Sequence, residues 1–520
     1  MNLRFYFSAT TLARVLLPYI IDRGPSYGKD LTSGLREPDA PDAGRKKIVV
    51  EFSSPNLGKE FDGSHLRSTI IGAYIASLYE EMGWDVVRMN FLGDWGKHIG
   101  LLAVGWSRFG SEEHFQADPL RHLLDVYTQI DKLFKPEQEA AKKLRNEHQD
   151  SSVIESEGIS GEKDAFFKKM EDGDPDALAL WKRFREVCIP KYTDLYARLN
   201  IKFDDYSGES DVSNEIVAEV EAILTEKGVY EESNEAWVID FKKHGSKGLG
   251  TGIARYRNGT TSYLLRDIAA VLERSRKYSF DKMIYVVSAK QDSHFQQLSR
   301  TLELMGHSDL ADRLLHVSFG KVQGLCPKPG SGLLLGDILD QCQTAIHEFL
   351  EADEDNIKEF QGEDSKVSDA LGAIALMVQD LSIKRLSNFT FDIKKITTAD
   401  GYTGLSLQHW FAKLCSKLNG AAVNRDELES TDYSMFEEEA YADVLRLLIQ
   451  FPGIVKSSFK PLESSIVLTY LFRITDLLSA VWNEEAEGSH QNLAQLAFYE
   501  SVRQVLENGM RMVGLVPMKM

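Results

Sequence analysis

IVVEFSSPNLGKEFDGSHLRSTIIG, residues 48–72, decides how this chain folds. Ile48, Val49, Val50 and Phe52 form a short β-rich apolar run, the pattern of a buried strand. Ser53-Ser54-Pro55-Asn56 is turn chemistry. From about His65 to Tyr79 apolar residues recur at helical spacing, so a helix is expected there. Strand, polar turn and helix open a parallel sheet. In such sheets ligands sit outside the carboxyl ends of strands, where helix N-termini offer free N–H groups.

Working outward, Asp85–Phe91 (DVVRMNF) reads as a second strand, giving β-α-β over residues 46–110. From Glu112 to about Glu231 the pattern is helical and charged. It is broken by a stretch rich in Ser, Gly and Glu, Asp150–Lys163, expected to be a mobile linker. Strand patterns return at Ala236–Phe241, Met283–Ala289 and Leu314–Phe319. This alternation predicts an α/β Rossmann-type domain interrupted by a helical insertion. Glu351–Lys366 is acidic and reads as a boundary. Beyond it the chain is nearly all helix, with apolar spacing at Ile466–Trp482 and Leu493–Val513.

A net charge of −19 excludes a general nucleic-acid binder, so any tRNA binding needs a local basic surface and DNA is not an expected partner. No apolar run approaches the ~18 residues of a membrane span, and no membrane partner is expected. The opening MNLRFYFSATTLARVLLPYIIDRG lacks a continuous apolar core and reads as ordinary helix rather than a signal peptide. Cys188, Cys326, Cys342 and Cys415 have no paired spacing. That fits a reducing cytoplasm and no metal site.

Several further segments match one family in order. They are FLGDWGKHIGLLAVGW (91–106), LWKRFREVCIPKYTDLYARLNIKFDDYSGES (180–210), GTTSYLLRDIAAVLER (259–274), FDKMIYVVSAKQDSHF (280–295), LTYLFRITDLLSAVW (468–482) and the final NGMRMVGLVPMKM. With residues 48–72 they make the chain resemble, over nearly its whole length, class I arginyl-tRNA synthetases of the eukaryotic type. The resemblance implies a remnant of an N-terminal tRNA-elbow domain at 1–45. A Rossmann-type catalytic domain would follow at 46–350, with a connective insertion at about 111–231, and then an all-α, anticodon-binding-like bundle at 351–520.

The family's arginine contacts fall on Glu51, Asn56, Tyr263, Asp267 and Gln291, and all five residue types are present. A guanidinium is a rigid fork of five donors that a fixed carboxylate meets bidentately, and Tyr263 and Asp267 lie one helical turn apart. Singly, each reads as a surface or capping residue. The ATP signatures depart from the family. Asp62 stands where the first signature histidine is expected and Ser64 where a glycine is, while His65 and Lys59 remain. An anion about 4 Å from a phosphate costs roughly 1–4 kcal/mol. The second signature reads Leu325-Cys326-Pro327-Lys328-Pro329-Gly330, in which two prolines remove donors. A third block reads Gly401 to His409, GYTGLSLQH.

An arginine pocket beside a degenerate ATP site predicts that arginine arrives already activated, as arginyl-tRNA, with no cofactor. The expected reaction is acyl transfer to a second aminoacyl-tRNA and closure of a diketopiperazine. That is the chemistry of a tRNA-dependent cyclodipeptide synthase, here like the arginine-containing enzymes of fungal secondary metabolism. Ser64 is the expected nucleophile, His65 its base and Asp62 an orienting group, with Lys59 beside them and Ser53, Ser54 and Ser68 in reserve. Ser64 also reads as a helix N-cap. The alternatives are an ATP-using arginine–tRNA ligase and a non-catalytic tRNA-binding relative. By the resemblance, tRNA contacts fall on Trp482, Arg503, Arg511, Lys519 and Met520. Trp482 also reads as core packing.

Overall fold

The computed structural model describes residues 8–147, 149–233, 235–325, 333–352, 364–398, 401–418, 423, 425–482 and 492–518. Among these residues the strands are β1 (Lys47–Glu51), β2 (Asp85–Leu92), β3 (Asp205–Gly208), β4 (Glu231–Ser233), β5 (Ala236–Asp240), β6 (Thr251–Arg255), β7 (Lys282–Val286), β8 (Leu314–Val317), β9 (Val322–Gln323) and β10 (Phe389–Thr390). Helices before β8 are α1 (Ala9–Arg23), α2 (Gly63–Glu81), α3 (Lys97–Phe109), α4 (Glu112–Ala117), α5 (Pro119–Asn146), α6 (Ser152–Ser156), α7 (Gly158–Glu171), α8 (Pro175–Arg198), α9 (Asn214–Glu226), α10 (Tyr263–Tyr278), α11 (Asp292–Leu304) and α12 (Ser308–Ala311).

β1 lies at the centre of a five-stranded parallel sheet ordered β3-β2-β1-β7-β8. Glu51, its last residue, is in register with Met89 of β2 and Tyr285 of β7. Side chains alternate across a strand, and the core divides accordingly. Ile48 and Val50 pack on one face with Ile70, Tyr74 and Ile75 of α2. Val49 packs on the other with Ile268, Ala269 and Leu272 of α10. Helices on both faces explain why β1 is a continuous apolar run. Gly72 lets α2 close onto β1, since a Cβ there would sit 2.2 Å from that of Phe52.

The expected Rossmann-type layer is therefore present, with differences in the insertion. The helical stretch ends at Arg198, and β3 then joins the main sheet beside β2. The Ala236–Phe241 strand forms as β5 but belongs to a separate antiparallel sheet, β4-β5-β6. Asp150–Lys163 is mostly helix rather than a linker. α7 starts on a carboxylate supplied from α5, for Ile159 and Ser160 donate their N–H groups to Glu137 at 3.2 and 3.0 Å. Polar composition suggested mobility; a cap from a distant helix overrides it. Most of Glu351–Lys366 lies outside the described residues.

After β10 the chain forms a helical bundle around Ser464–Val481 and Leu493–Met512, both extensively buried. α1 packs against this bundle, where Asn508 donates to the carbonyls of Gly24 and Tyr27 at 3.0 and 2.9 Å. Arg67 ties the helix that precedes β10 to the sheet layer. It lies on α2, is fully buried, and donates to the carbonyls of Gly320 and Ser387 at 2.8 and 2.6 Å. Its Nε stands 3.4 Å from Asp380 in helix Asp364–Leu381. One guanidinium thus fastens α2, the approach to β9 and helix Asp364–Leu381, which meets the bundle where Ser464 Oγ donates to the Leu381 carbonyl.

Candidate active site

The carboxyl ends of the parallel strands open into a cavity of about 670 Å³. Glu51, Asn56, Tyr263, Asp267 and Gln291 all line it, as do Lys59, Asp62, Ser64 and His65. Three segments far apart in sequence, 51–65, 263–267 and 291, converge because each follows a strand end or begins a helix on the same edge of the sheet.

The turn after β1 is tightly built. Ser53 and Ser54 both adopt positive φ, 69° and 48°, a conformation that non-glycine residues hold only when their surroundings impose it. Ser53 N–H donates to Ser68 Oγ at 2.8 Å, and Ser53 Oγ bonds Tyr196 Oη at 2.6 Å and Thr69 Oγ1 at 2.7 Å. Ser68 donates to the Val286 carbonyl. These hydroxyls hold the turn together. Asn56 then reaches Gly93 at the end of β2, where a Cβ would lie 2.2 Å from its Oδ1, so glycine is required there by close approach.

Asp62 is the N-cap of α2. Its carboxylate accepts from the N–H groups of Ser64 and His65 at 2.8 and 3.1 Å, and its own N–H donates to His65 Nδ1 at 3.2 Å. This reciprocal capping box is a structural reason for aspartate at this position. Burial opposes the charge, but the bonds from His65 and from the backbone outweigh it and hold the Asp62 carboxyl down at about 2. The His65 ring is directed to Asp62 rather than to Ser64, so the described contacts do not make a Ser64–His65 dyad. Ser64 is not the cap; it lies inside the helix.

The inner end of the cavity is rich in carboxylates. Asp267 Oδ2 lies 2.7 Å from His294 Nε2, and Tyr263, more than half exposed, leans on the same imidazole with ring centroids 4.9 Å apart. Glu51 is paired with the buried Arg274 at 2.7 Å. Burial pushes the Glu51 carboxyl up to about 7; Arg274 pulls it down and Asp267 raises it further. A cation held by the ionised form loses a partner as Glu51 protonates. The apparent affinity for a cationic ligand is therefore expected to weaken as pH falls through about 7, and Glu51→Gln is expected to flatten that profile. A wild-type profile flat across that range would count against a charge role for Glu51.

Two residues of this region escaped the sequence reading. Glu209, immediately after β3, lines the cavity and makes no side-chain hydrogen bond to the described residues. Burial raises its carboxyl well above the usual range, with Asp267 and Asp94 adding repulsion and Arg266 and Lys59 opposing. Its signal was its place in YSGES, 206–210, at the carboxyl end of a strand. Arg274, 223 residues from Glu51 in sequence, had no such signal. Near the mouth, Lys59 sits over the Tyr127 ring at 5.5 Å, and burial lowers its ammonium against Glu209 and Asp131. Burial and the Lys59 charge push His98 down to about 3, so its ring is neutral.

The expected tRNA contacts fare differently. Trp482 is half-buried between Trp410 and Tyr499, at 5.6 and 5.4 Å. Arg503 is bound to Glu500 and Glu507, and Arg511 to Glu507. Lys519 and Met520, like most of the second signature, lie outside the described residues.

Comparison with known proteins places this geometry. Residues 31–393 match the family described as tRNA synthetases class I (R), catalytic domain, and residues 407–520 the DALR anticodon binding domain. The chain is 40% identical over 521 residues to the cytoplasmic arginine–tRNA ligase of Saccharomyces cerevisiae, covering 99% of this chain and 82% of that protein. It is 37% identical to the mitochondrial arginine–tRNA ligase of the same yeast, covering 99% and 77%. The arginyl-tRNA synthetase of Thermus thermophilus has the same fold, with TM-score 0.72 at 17% identity over 99% of this chain and 86% of that one.

Proposed function

The chain belongs to the arginyl-tRNA synthetase family of class I, and from that premise we propose that it is an arginine–tRNA ligase, joining arginine to tRNA with ATP. The observation that carries the proposal is the cavity wall, where Glu51, Glu209 and Asp267 converge with Tyr263 and Gln291 at the strand ends. Three carboxylates within one enclosure suit a guanidinium, which stays charged throughout the working pH range. Asp267 and Glu209 are the contacts we assign to it. Arg274 already satisfies one oxygen of Glu51, which therefore acts as a wall charge rather than a direct contact, and as a full charge only above about pH 7. Asn56 and Gln291 orient the amino acid. The N-terminal turn of α2, with Lys59 and His65, faces the reacting carboxyl and the phosphates of ATP.

This replaces the expectation of an ATP-independent cyclodipeptide synthase. Relatives matched across 99% of the chain are arginine–tRNA ligases, and the reading without ATP, with a second aminoacyl-tRNA as partner, is withdrawn. The physical reason lies at Asp62. Read as a lone departure, it looked like an anion set against triphosphate. In the fold its carboxylate is turned onto the helix end and engaged by two backbone donors, a role open to many N-cap residues. tRNA is the macromolecular partner we assign, with the DALR bundle reading the anticodon arm. The compartment we assign is the cytoplasm, on the likeness to the cytoplasmic ligase of yeast; the relatives include both cytoplasmic and mitochondrial ligases.

The test is direct. Purified protein incubated with radiolabelled arginine, ATP and tRNA is expected to form acid-precipitable arginyl-tRNA, and omission of ATP to abolish it. No aminoacylation with any arginine-accepting tRNA would overturn the assignment.

A further inference from the structure

We infer that Lys321, Lys384, Lys394 and Lys395 form a docking surface for the phosphate backbone of tRNA, between the cavity and the helical bundle. The inference rests on the ligase reading and adds to it a surface. The chain as a whole is acidic, at −19, so a polyanion must find a local positive field. Of the cations expected to supply one, Arg503 and Arg511 are spent on Glu500 and Glu507, and Lys519 lies outside the described residues.

Residues 382–398 are different: they carry Lys384, Arg385, Lys394 and Lys395 against the single acid Asp392. That acid is engaged as a helix N-cap for Lys394 N–H, and Arg385 faces Glu463. The four lysines are exposed, and their ammonium groups make no hydrogen bond or ion pair with the described residues. The backbone gathers them into one unit. Lys321 N–H donates to Asn388 Oδ1 at 2.6 Å, Phe389 N–H donates back to the Lys321 carbonyl, and β9 pairs with β10. Lys394 and Lys395 follow in the short helix Ile393–Ile396.

This unit borders the active site. Phe319 lines the cavity, and Val322 lies against Gly63 at the start of α2. On its other side, Arg67 joins the Gly320 and Ser387 carbonyls to Asp380 of helix Asp364–Leu381, whose last carbonyl accepts from Ser464 of the bundle. A tRNA with its acceptor end in the cavity and its anticodon arm on the bundle has to pass this junction. Four unneutralised ammonium groups there suit phosphates as point charges.

The test compares tRNA binding by wild type and by a Lys321→Gln/Lys384→Gln/Lys394→Gln/Lys395→Gln variant across a salt series. Each phosphate contact contributes about 0.7–0.9 to the slope of log K against log salt, so the slope is expected to flatten by roughly two to four. Lys394→Gln/Lys395→Gln alone is expected to flatten it by roughly half as much. Lys242→Gln/Lys247→Gln, two exposed lysines beside the antiparallel sheet, controls for bulk charge and is expected to leave the slope unchanged. Arginine binding and the melting temperature check that every variant is intact. Wild-type slope and affinity in the fourfold variant would overturn the docking surface while leaving the ligase reading in place. Equal flattening in the control pair would overturn it too, by reducing the effect to net charge. A wild type that neither binds nor charges tRNA would overturn the ligase reading itself, and the surface with it.

Discussion

Asp267→Asn is expected to leave the fold intact and to raise the KM for arginine by roughly 30- to 5,000-fold, the about 2–5 kcal/mol lost when one member of a desolvated charge pair is neutralised. Asp267 is only partly exposed, lies on the cavity wall and is held by His294 at 2.7 Å, so its carboxylate is already placed for a guanidinium. Preorganisation is what makes the loss large, because a mobile surface carboxylate would contribute about 1 kcal/mol or less. Glu209→Gln is expected to act in the same direction. Its carboxyl is pushed up by burial and by Asp267, and an arriving cation relieves both. Steady-state aminoacylation with varied arginine, alongside circular dichroism, makes the measurement. A KM for Asp267→Asn within about threefold of wild type would remove Asp267 from the pocket.

Arg67→Met is expected to cost about 3–5 kcal/mol of stability, since it strands the Asp380 carboxyl in the interior and leaves two carbonyls without their donor. Burial pushes Asp380 up to about 7, with Arg67 pulling it down. Its folded value therefore lies above its unfolded 3.8, so folding takes up a proton between those limits and wild-type stability from this group falls as pH rises from 3.8 to about 7. Without Arg67 the folded value moves higher still. The deficit of the variant should be largest above about pH 7 and should narrow as the pH falls and Asp380 becomes neutral. Urea unfolding at several pH values tests both statements, and Arg67→Met/Asp380→Leu should recover much of the loss by removing the stranded charge. A deficit under about 1 kcal/mol, or one independent of pH, would show that the junction does not depend on this pair.

Some of what the sequence reading missed was within its reach. Glu500 and Glu507 stand three and four residues from Arg503, so the neutralisation of that arginine follows from helical spacing alone. Asp62 followed by His65 has the spacing of a capping box, with imidazole in place of the usual carboxylate or amide. Reading Asp62 as a lost ligand rather than as a cap led to the wrong reaction. Departures at Asp62, Ser64, Pro327 and Pro329, in both ATP signatures, are outweighed by the agreement of 99% of the chain with arginine–tRNA ligases.

By itself the sequence determined the elements whose causes are local. β1 follows from an unbroken apolar run, and a helix after the polar turn follows from the apolar stretch His65–Tyr79, although α2 is buried on nearly all sides rather than on one face. Glu51, Asn56, Tyr263, Asp267 and Gln291 come from the resemblance to the family, and the structure brings all five to one cavity. The tertiary structure decided whatever depends on partners remote in the chain. It paired Glu51 with Arg274 across 223 residues and gave Asp150–Lys163 its helical cap from Glu137. It also aimed Glu209 into the cavity without a hydrogen-bond partner among the described residues, and placed Lys321 beside Asn388 where β9 pairs with β10. Helix and strand periodicity report which face of an element is apolar. They carry no information on which charged group meets which, because charge pairing is set by packing and solvent exclusion, and those exist only once the layers have closed.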